Sequence, residues 1–174
     1  LHLLSRRQRQ MCIRDRDVKA GNGADFDLDA VALCLTNDKL VDKSDMVFYG
    51  NLAHSSGAIK HSGDNLTGVG EGVDEAINID LSKVPDSINK IVFVVSIYQA
   101  NARRQNFGQV NNAFIQLVNS ESNENLVKFD LSEDYSVETS MILGEIYRHN
   151  GEWKFNAKGE GIEGELGDVR AKYL

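Results

Sequence analysis

Proline, cysteine and long apolar runs are scarce in this chain of 174 residues, which has one proline and two cysteines. Cys12 and Cys34 are too far apart for a Cys-x-x-Cys metal site, and they provide no disulfide framework. A reducing compartment such as the cytoplasm suits this composition. The longest apolar run, residues 91–98, is interrupted by Ser96 and is shorter than the roughly 20 residues that span a bilayer. The sequence therefore excludes a membrane span.

Acidic residues outnumber basic ones, with 26 Asp and Glu against 19 Lys and Arg, for a net charge of −7. Five of the arginines lie within residues 1–16, so the rest of the chain is more acidic still. An acidic body argues against a nucleic-acid partner, whose phosphates repel it. It favours a bound cation or simple solubility. The hydrophobic fraction of 41% is enough for a buried core.

Residues 1–16 (LHLLSRRQRQMCIRDR) differ from the rest of the chain, being basic and without a clear hydrophobic period. The string MCIRDR resembles translated sequencing-adaptor read-through. We predict that 1–16 is a non-native or artefactual tail and exclude it from the prediction of the fold. Residues 17–174 contain no repeat, low-complexity tract or linker, and we predict that they form one domain.

Alternating apolar and polar residues predict strands along most of the chain. Residues 91–98 are β-branched and apolar on both faces, which indicates a central strand. Short strands without regular strand–helix alternation predict an all-β fold, an antiparallel β-sandwich. Short helices are expected only near 102–110 and at the C-terminus. The predicted strands cover residues 26–35, 46–49, 76–81, 91–98, 114–118, 126–131, 141–147 and 153–157.

Asn150-Gly151 is the strongest hairpin signal in the chain. A two-residue turn at this point pairs His149 with Glu152 and places Ile146 opposite Phe155. One face of the resulting ladder is largely apolar and the other is polar, as a half-buried sheet requires.

Two acidic segments contain the candidate metal-binding residues. Residues 23–29 (GADFDLD) place Asp25, Asp27 and Asp29 at alternate positions, and residues 63–75 (GDNLTGVGEGVDE) combine acids with four glycines. Carboxylates brought together repel one another unless a cation or protons neutralise them. A pliable loop of carboxylates, amides and carbonyls suits Ca²⁺ better than the stricter octahedron of Mg²⁺.

Other interpretations of these segments stay open. Asp, Asn and Gly are ordinary turn residues, so the loop can simply be solvated in a metal-free interaction module. A metal-dependent enzyme acting on a phosphorylated small molecule would need a cationic clamp or base, for which Lys60, His61 and Lys83 are nearest in sequence. The alternation at 25–29 lacks the glycine and flanking helices of an EF-hand.

Several motifs in order resemble the TerD family of tellurium-resistance and stress-response proteins. They are GADFDLD at 23–29, GDNLTG at 63–68, LSKVP at 81–85, NFGQV at 106–110 and GEIYRHNGEW at 144–153. The resemblance runs from about Asp17 to about Asp168. It implies a bacterial, cytoplasmic β-sandwich without catalytic activity that binds calcium through its acidic loops and works with other stress or tellurium-resistance proteins. The ligands that it implies are Asp25, Asp27, Asp29, Asp64, Asn65, Glu71, Asp74 and Glu75, with backbone carbonyls of Leu66 and Gly70.

The chain departs from the family pattern at three positions. Glu71 and Val73 stand where the family commonly has Asp, and Val73 provides no carboxylate. Arg16 stands where the family has Trp, inside the stretch that we exclude. The resemblance therefore also predicts that 17–174 lacks native N-terminal strands.

Overall fold

The computed structural model describes residues 2–4, 8–15, 26–63, 75–110, 113–120, 122–131 and 137–174. Residues 2–4 and 8–15 are described by their backbone. Within these ranges the chain forms eleven strands in two sheets, and every pairing between strands is antiparallel.

The first sheet has six strands, with β7 in its interior between β10 and β3. In spatial order its strands are β1 (His2–Leu4), β11 (Glu152–Ile162), β10 (Ser140–His149), β7 (Lys90–Ile97), β3 (Leu28–Leu35) and β4 (Met46–Val47). The prediction of a central strand at 91–98 is confirmed. It is buried on both faces because one face contacts the second sheet and the other lies under the C-terminal helix.

The second sheet has five strands. In spatial order they are β5 (Ile59–His61), β6 (Glu75–Asp80), β2 (Gln8–Asp15), β8 (Ala113–Asn119) and β9 (Glu124–Asp130). Alternate residues of β6 and β8, such as Ile77 and Ile115, share one buried cluster with Ala30 and Phe93 of the first sheet. The fold is therefore the predicted all-β sandwich.

Short helices lie near the two predicted places, and a further 3-10 helix, which was not predicted, spans Lys43–Asp45. Helix α1 spans Ala100–Arg103 and a 3-10 turn follows at Phe107–Gln109. Helix α2, Leu166–Ala171, begins one residue before Gly167 and covers the outer face of the first sheet. No helix in the described ranges is long and apolar enough to cross a membrane.

Strands β1 and β2 lie within residues 1–16, which we excluded from the prediction of the fold. The backbone of β2 pairs with β6 on one side and β8 on the other, with Met11 opposite both Ile77 and Leu117. Backbone pairing needs no hydrophobic period, so the sequence pattern gave no signal for it. The assignment of 1–16 as a non-native tail, and of 17–174 as a domain lacking native strands, stays a prediction.

Candidate functional site

The acidic segment 63–75 connects β5 to β6, and its two ends are held side by side. His61 lies opposite Ile77 in the β5–β6 ladder. One step further on, the Ser62 backbone N–H donates to the Ala76 carbonyl at 2.8 Å, and the Ala76 N–H donates to Ser62 Oγ at 2.9 Å. The two ends of the segment therefore lie side by side at the end of the β5–β6 ladder.

Glu75 ends the acidic segment and begins β6, and its side chain is 1% exposed. It has the same parity as Ile77 and Ile79, so it enters the space between the two sheets. There its Oε2 accepts a hydrogen bond from the Ala30 backbone N–H at 2.7 Å. Strand β4 pairs with β3 only at Ala32 and Leu33, so it provides no acceptor for the Ala30 N–H. The Glu75 carboxylate provides that acceptor instead.

His61 faces the same carboxylate oxygen and its side chain is 0% exposed. Its Nδ1 accepts a hydrogen bond from the Gly63 N–H at 3.1 Å, which assigns the proton of a neutral ring to Nε2. Nε2 lies 3.2 Å from Glu75 Oε2, a close charge contact without the alignment of a hydrogen bond. The His61 ring thus lies at the end of β5 and places the partial positive charge of its Nε2–H near the buried Glu75 carboxylate.

A second histidine also faces a carboxylate, but through a hydrogen bond and at a less buried place. His54 Nδ1 accepts a hydrogen bond from the Ser56 N–H at 3.1 Å, and its Nε2 lies 3.2 Å from Asp45 Oδ1. This pair is remote in sequence from both acidic segments. It gives an internal comparison for the role of the His61–Glu75 pair.

The segment 23–29 runs directly into β3. Asp27 is 6% exposed and its carbonyl accepts a hydrogen bond from the Tyr98 N–H at 2.8 Å. Asp29 is 3% exposed and lines a cavity of about 180 Å³ with Tyr49, Tyr98 and Glu165. Asp29 alternates with Leu28 and Ala30 of the sandwich core, so it faces the outer side of β3, on which α2 packs.

The Glu75–Ala30 hydrogen bond therefore joins the last residue of 63–75 to the residue that follows 23–29, while Asp29 and Glu75 approach β3 from different sides. Among the described residues, no group of three or more His, Cys, Asp or Glu side chains could hold a metal ion. The remaining predicted ligands lie outside the described residues: Asp25, Asp64, Asn65, Leu66, Gly70, Glu71 and Asp74. The ligand set as a whole stays a prediction.

Of the three candidates for a cationic clamp, Lys60 and Lys83 line one cavity of about 200 Å³, and His61 does not. His61 is buried against Glu75, while Lys60 is exposed on β5. Lys83 lies 2.8 Å from Asp80, and together with Ser82 it holds the pKa of that carboxyl below its usual range. Lys83 is therefore engaged in an ion pair on the surface.

Sequence reasoning missed the long-range role of Glu75. It counted Glu75 as one more acid of the loop, because neighbouring positions are all that a sequence shows. The available signal was parity: Glu75 precedes Ile77 and Ile79 by even steps, which assigns it to the buried face of a strand.

The model of the TerD domain family matches residues 6–173. "Tellurium resistance protein TerD" of Serratia marcescens is 52% identical over 158 residues, covering 90% of this chain and 82% of that protein. "General stress protein 16U" of Bacillus subtilis (strain 168) is 51% identical over 156 residues, covering 89% of this chain and 81% of that protein.

The fold is also similar to a crystal structure of a homologue of telluride resistance protein (TerD) from Streptomyces coelicolor A3(2). The TM-score is 0.82 at 20% identity, and the match covers 95% of this chain and 96% of the other. At this identity the likeness concerns the fold alone.

Proposed function

The chain belongs to the TerD family, and on that premise we propose that it is a calcium-binding, non-enzymatic stress-response protein of the tellurium-resistance type. We place it in the bacterial cytoplasm, acting with other stress or tellurium-resistance proteins. Two bacterial relatives at about half identity, one named for tellurium resistance and one for general stress, support the stress-response part.

One observation carries the calcium part of the proposal. The buried Glu75–Ala30 hydrogen bond joins the last residue of 63–75 to the residue that directly follows 23–29. Carboxylates that come close together repel one another. A bound divalent cation would remove that repulsion, and carboxylate, amide and carbonyl oxygens are the donors that Ca²⁺ takes.

The types of the described residues fit calcium binding. Asp27 and Asp29 are carboxylates with little solvent exposure at the start of β3, and hard cations bind carboxylate oxygens. They would hold the ion together with acids of residues 64–74, while bound Ca²⁺ would supply charge neutralisation. Of the cationic side chains near the loop, His61 is buried against Glu75 and Lys83 is paired with Asp80.

Calcium should raise the thermal stability of the protein. A ligand that binds only the folded state stabilises it by about 2.7 kcal/mol at a hundredfold excess over Kd. For a domain of this size that corresponds to an increase in Tm on the order of 5–10 °C. The measurement is thermal unfolding followed by circular dichroism in calcium, in magnesium and in chelator, and magnesium should stabilise less.

Variants that each remove one carboxylate test which residues bind the calcium ion. Asp27→Asn and Asp74→Asn should each reduce the calcium-induced shift in Tm, because each removes one carboxylate from the two segments. Glu163→Gln, at an exposed acid outside both segments, is the matched control and should keep the full shift. Identical melting curves of the unmodified protein in calcium and in chelator would refute calcium binding and favour a metal-free interaction module.

A further inference from the structure

We propose that a cavity on the outer face of the second sheet binds a small oxyanion such as phosphate, with Lys60 and Lys83 as its cationic ligands. The cavity has a volume of about 200 Å³, and its polar lining residues are Lys60, Asn78, Asp80, Lys83 and Ser120. It is smaller than the pockets of about 300–1,000 Å³ that hold drug-sized ligands, so it suits an ion better than a large molecule. The inference does not depend on calcium binding, because none of these residues belongs to either acidic segment.

Two of the polar side chains come from neighbouring strands. Lys60 of β5 lies directly opposite Asn78 of β6, and both residues are exposed. The residues on either side of Asn78, Ile77 and Ile79, are buried between the sheets. Because successive side chains of a strand point to opposite faces, Lys60 and Asn78 share the outer face. Directly opposed residues have Cβ atoms about 4.5–5.5 Å apart, so one small ligand can contact the ammonium and the amide together.

The cavity has a positive charge although the protein is acidic overall. Asp80 is the one acid among its lining residues, and protein donors already contact both oxygens of that carboxylate. The Ser82 N–H and hydroxyl donate to Oδ1, and Lys83 Nζ lies 2.8 Å from Oδ2. Asp80 therefore holds Lys83 in place, while no described carboxylate forms an ion pair with Lys60. Lysine is a common ligand of phosphate groups, which it binds as a point charge.

Ser120 provides an independent observation. It directly follows β8 and lines the same cavity, and its buried Oγ has no hydrogen-bond partner among the described residues. Buried hydroxyls are nearly always hydrogen-bonded, so this one calls for a partner that the protein does not supply. Strand β2 lies between β6 and β8 in the sheet, so Ser120 lies on the other side of the cavity from Lys60. Donors on both sides of a small cavity suit an anion that has acceptor oxygens in several directions.

Titration of the full chain with inorganic phosphate tests the site. Nitrogen–proton correlation NMR, at constant ionic strength and with a calcium chelator in every sample, should show saturable shifts of the Lys60, Asn78 and Ser120 signals. Lys60→Gln should weaken phosphate binding about 10- to 100-fold, the range for losing a hydrogen bond to a charged group. Lys83→Gln should weaken it at least as much, because the Asp80 carboxylate then faces the anion without its partner. Asp80→Asn should strengthen binding, because it removes a repelling charge and releases Lys83.

Lys43→Gln is the matched control, because it removes the same charge from an exposed lysine outside the cavity and should leave the phosphate Kd unchanged.

Methyl phosphate distinguishes two sources of the anion. A Kd equal to that of inorganic phosphate would indicate the phosphoryl group of a larger molecule, and a much higher Kd would indicate the free anion.

Three results would each overturn the proposal: no saturable shift with phosphate, an unchanged Kd in Lys60→Gln, or an equal loss of affinity in Lys43→Gln. A loss in Asp80→Asn as large as that in Lys60→Gln would also overturn it, since it would show a disturbed turn and not a change of charge. The chelator keeps calcium out of every sample, so none of these results decides whether the protein binds calcium.

Discussion

At Gly144 the sandwich leaves little room for a side chain. A Cβ built there would lie 2.6 Å from the Asn156 carbonyl oxygen and 2.9 Å from the Phe155 ring. The carbonyl belongs to the neighbouring strand and cannot move away as the tip of a flexible side chain could. Gly144 also adjoins an irregularity in the β10 pairings, where the register shifts between Ile142 and Gly144.

Gly144→Ala should therefore destabilise the fold by about 1–3 kcal/mol, the usual range for a forced overpacking. Urea unfolding at neutral pH measures the change. Gly167→Ala is the control: its Cβ would meet nothing within 4 Å, and alanine in α2 should leave stability unchanged or raise it by about 0.5–1 kcal/mol. A Gly144→Ala protein as stable as the unmodified one would contradict the described contact with Asn156.

At the scale of the element, the β10–β11 hairpin depends on its turn. Asn150 and Gly151 have φ of 53° and 79°, so both occupy the left-handed region that a type I′ turn requires. Gly151→Val should destabilise the fold, because a β-branched residue resists positive φ. Thermal unfolding measures the loss, and Glu152→Val, one position further on, should cost less. Equal Tm values for the two variants would argue against the turn.

The C-terminal element gives a prediction at alkaline pH. Tyr173 follows α2, and burial, then the charges of Glu160, Glu145 and Asp38, raises its pKa from 10.0 to about 12. The folded state keeps the phenol neutral at a pH where the unfolded chain ionises it. Stability from this group is complete below pH 10 and is lost as the pH rises from about 10 to about 12.

Tyr173→Phe should therefore lose less stability than the unmodified protein between pH 9 and about pH 11. Urea unfolding at a series of pH values measures the difference between the two proteins. Burial also raises the pKa of the Cys34 thiol, but both proteins contain Cys34 and its contribution cancels. Parallel stability–pH curves for the two proteins would show that Tyr173 titrates alike in the folded and unfolded states.

Sequence patterns predicted the elements whose structure depends mainly on residues that are close in sequence. The hairpin register agrees residue by residue with the structure, from His149 opposite Glu152 to Gly144 opposite Ala157. That is because a two-residue turn fixes the pairs up to the register shift between Gly144 and Ile142. Strand β5 was not predicted, since three residues are too few to show a period. The strand predicted at 46–49 is shortened to Met46–Val47, and Phe48 pairs back to Asn51 instead.

At the scale of the whole molecule, the candidate site was predictable in composition but not in arrangement. Acid-rich segments at 23–29 and 63–75 are visible in the sequence. Their link through Glu75 and Ala30 joins residues 45 positions apart and crosses from one sheet to the other. No periodicity encodes such a contact, because packing of the two sheets creates it. The same holds for His61, whose partner becomes evident only when β5 lies beside β6.

The interior position of β7 has a consequence for how the protein is made. Val95 pairs with Ala30 on one side and with Met141 on the other, so the first sheet joins early, middle and late parts of the chain. During synthesis the apolar β3 emerges long before β7 can cover it, and β7 in turn precedes β10. Such non-local pairing slows folding and leaves strand edges exposed to aggregation.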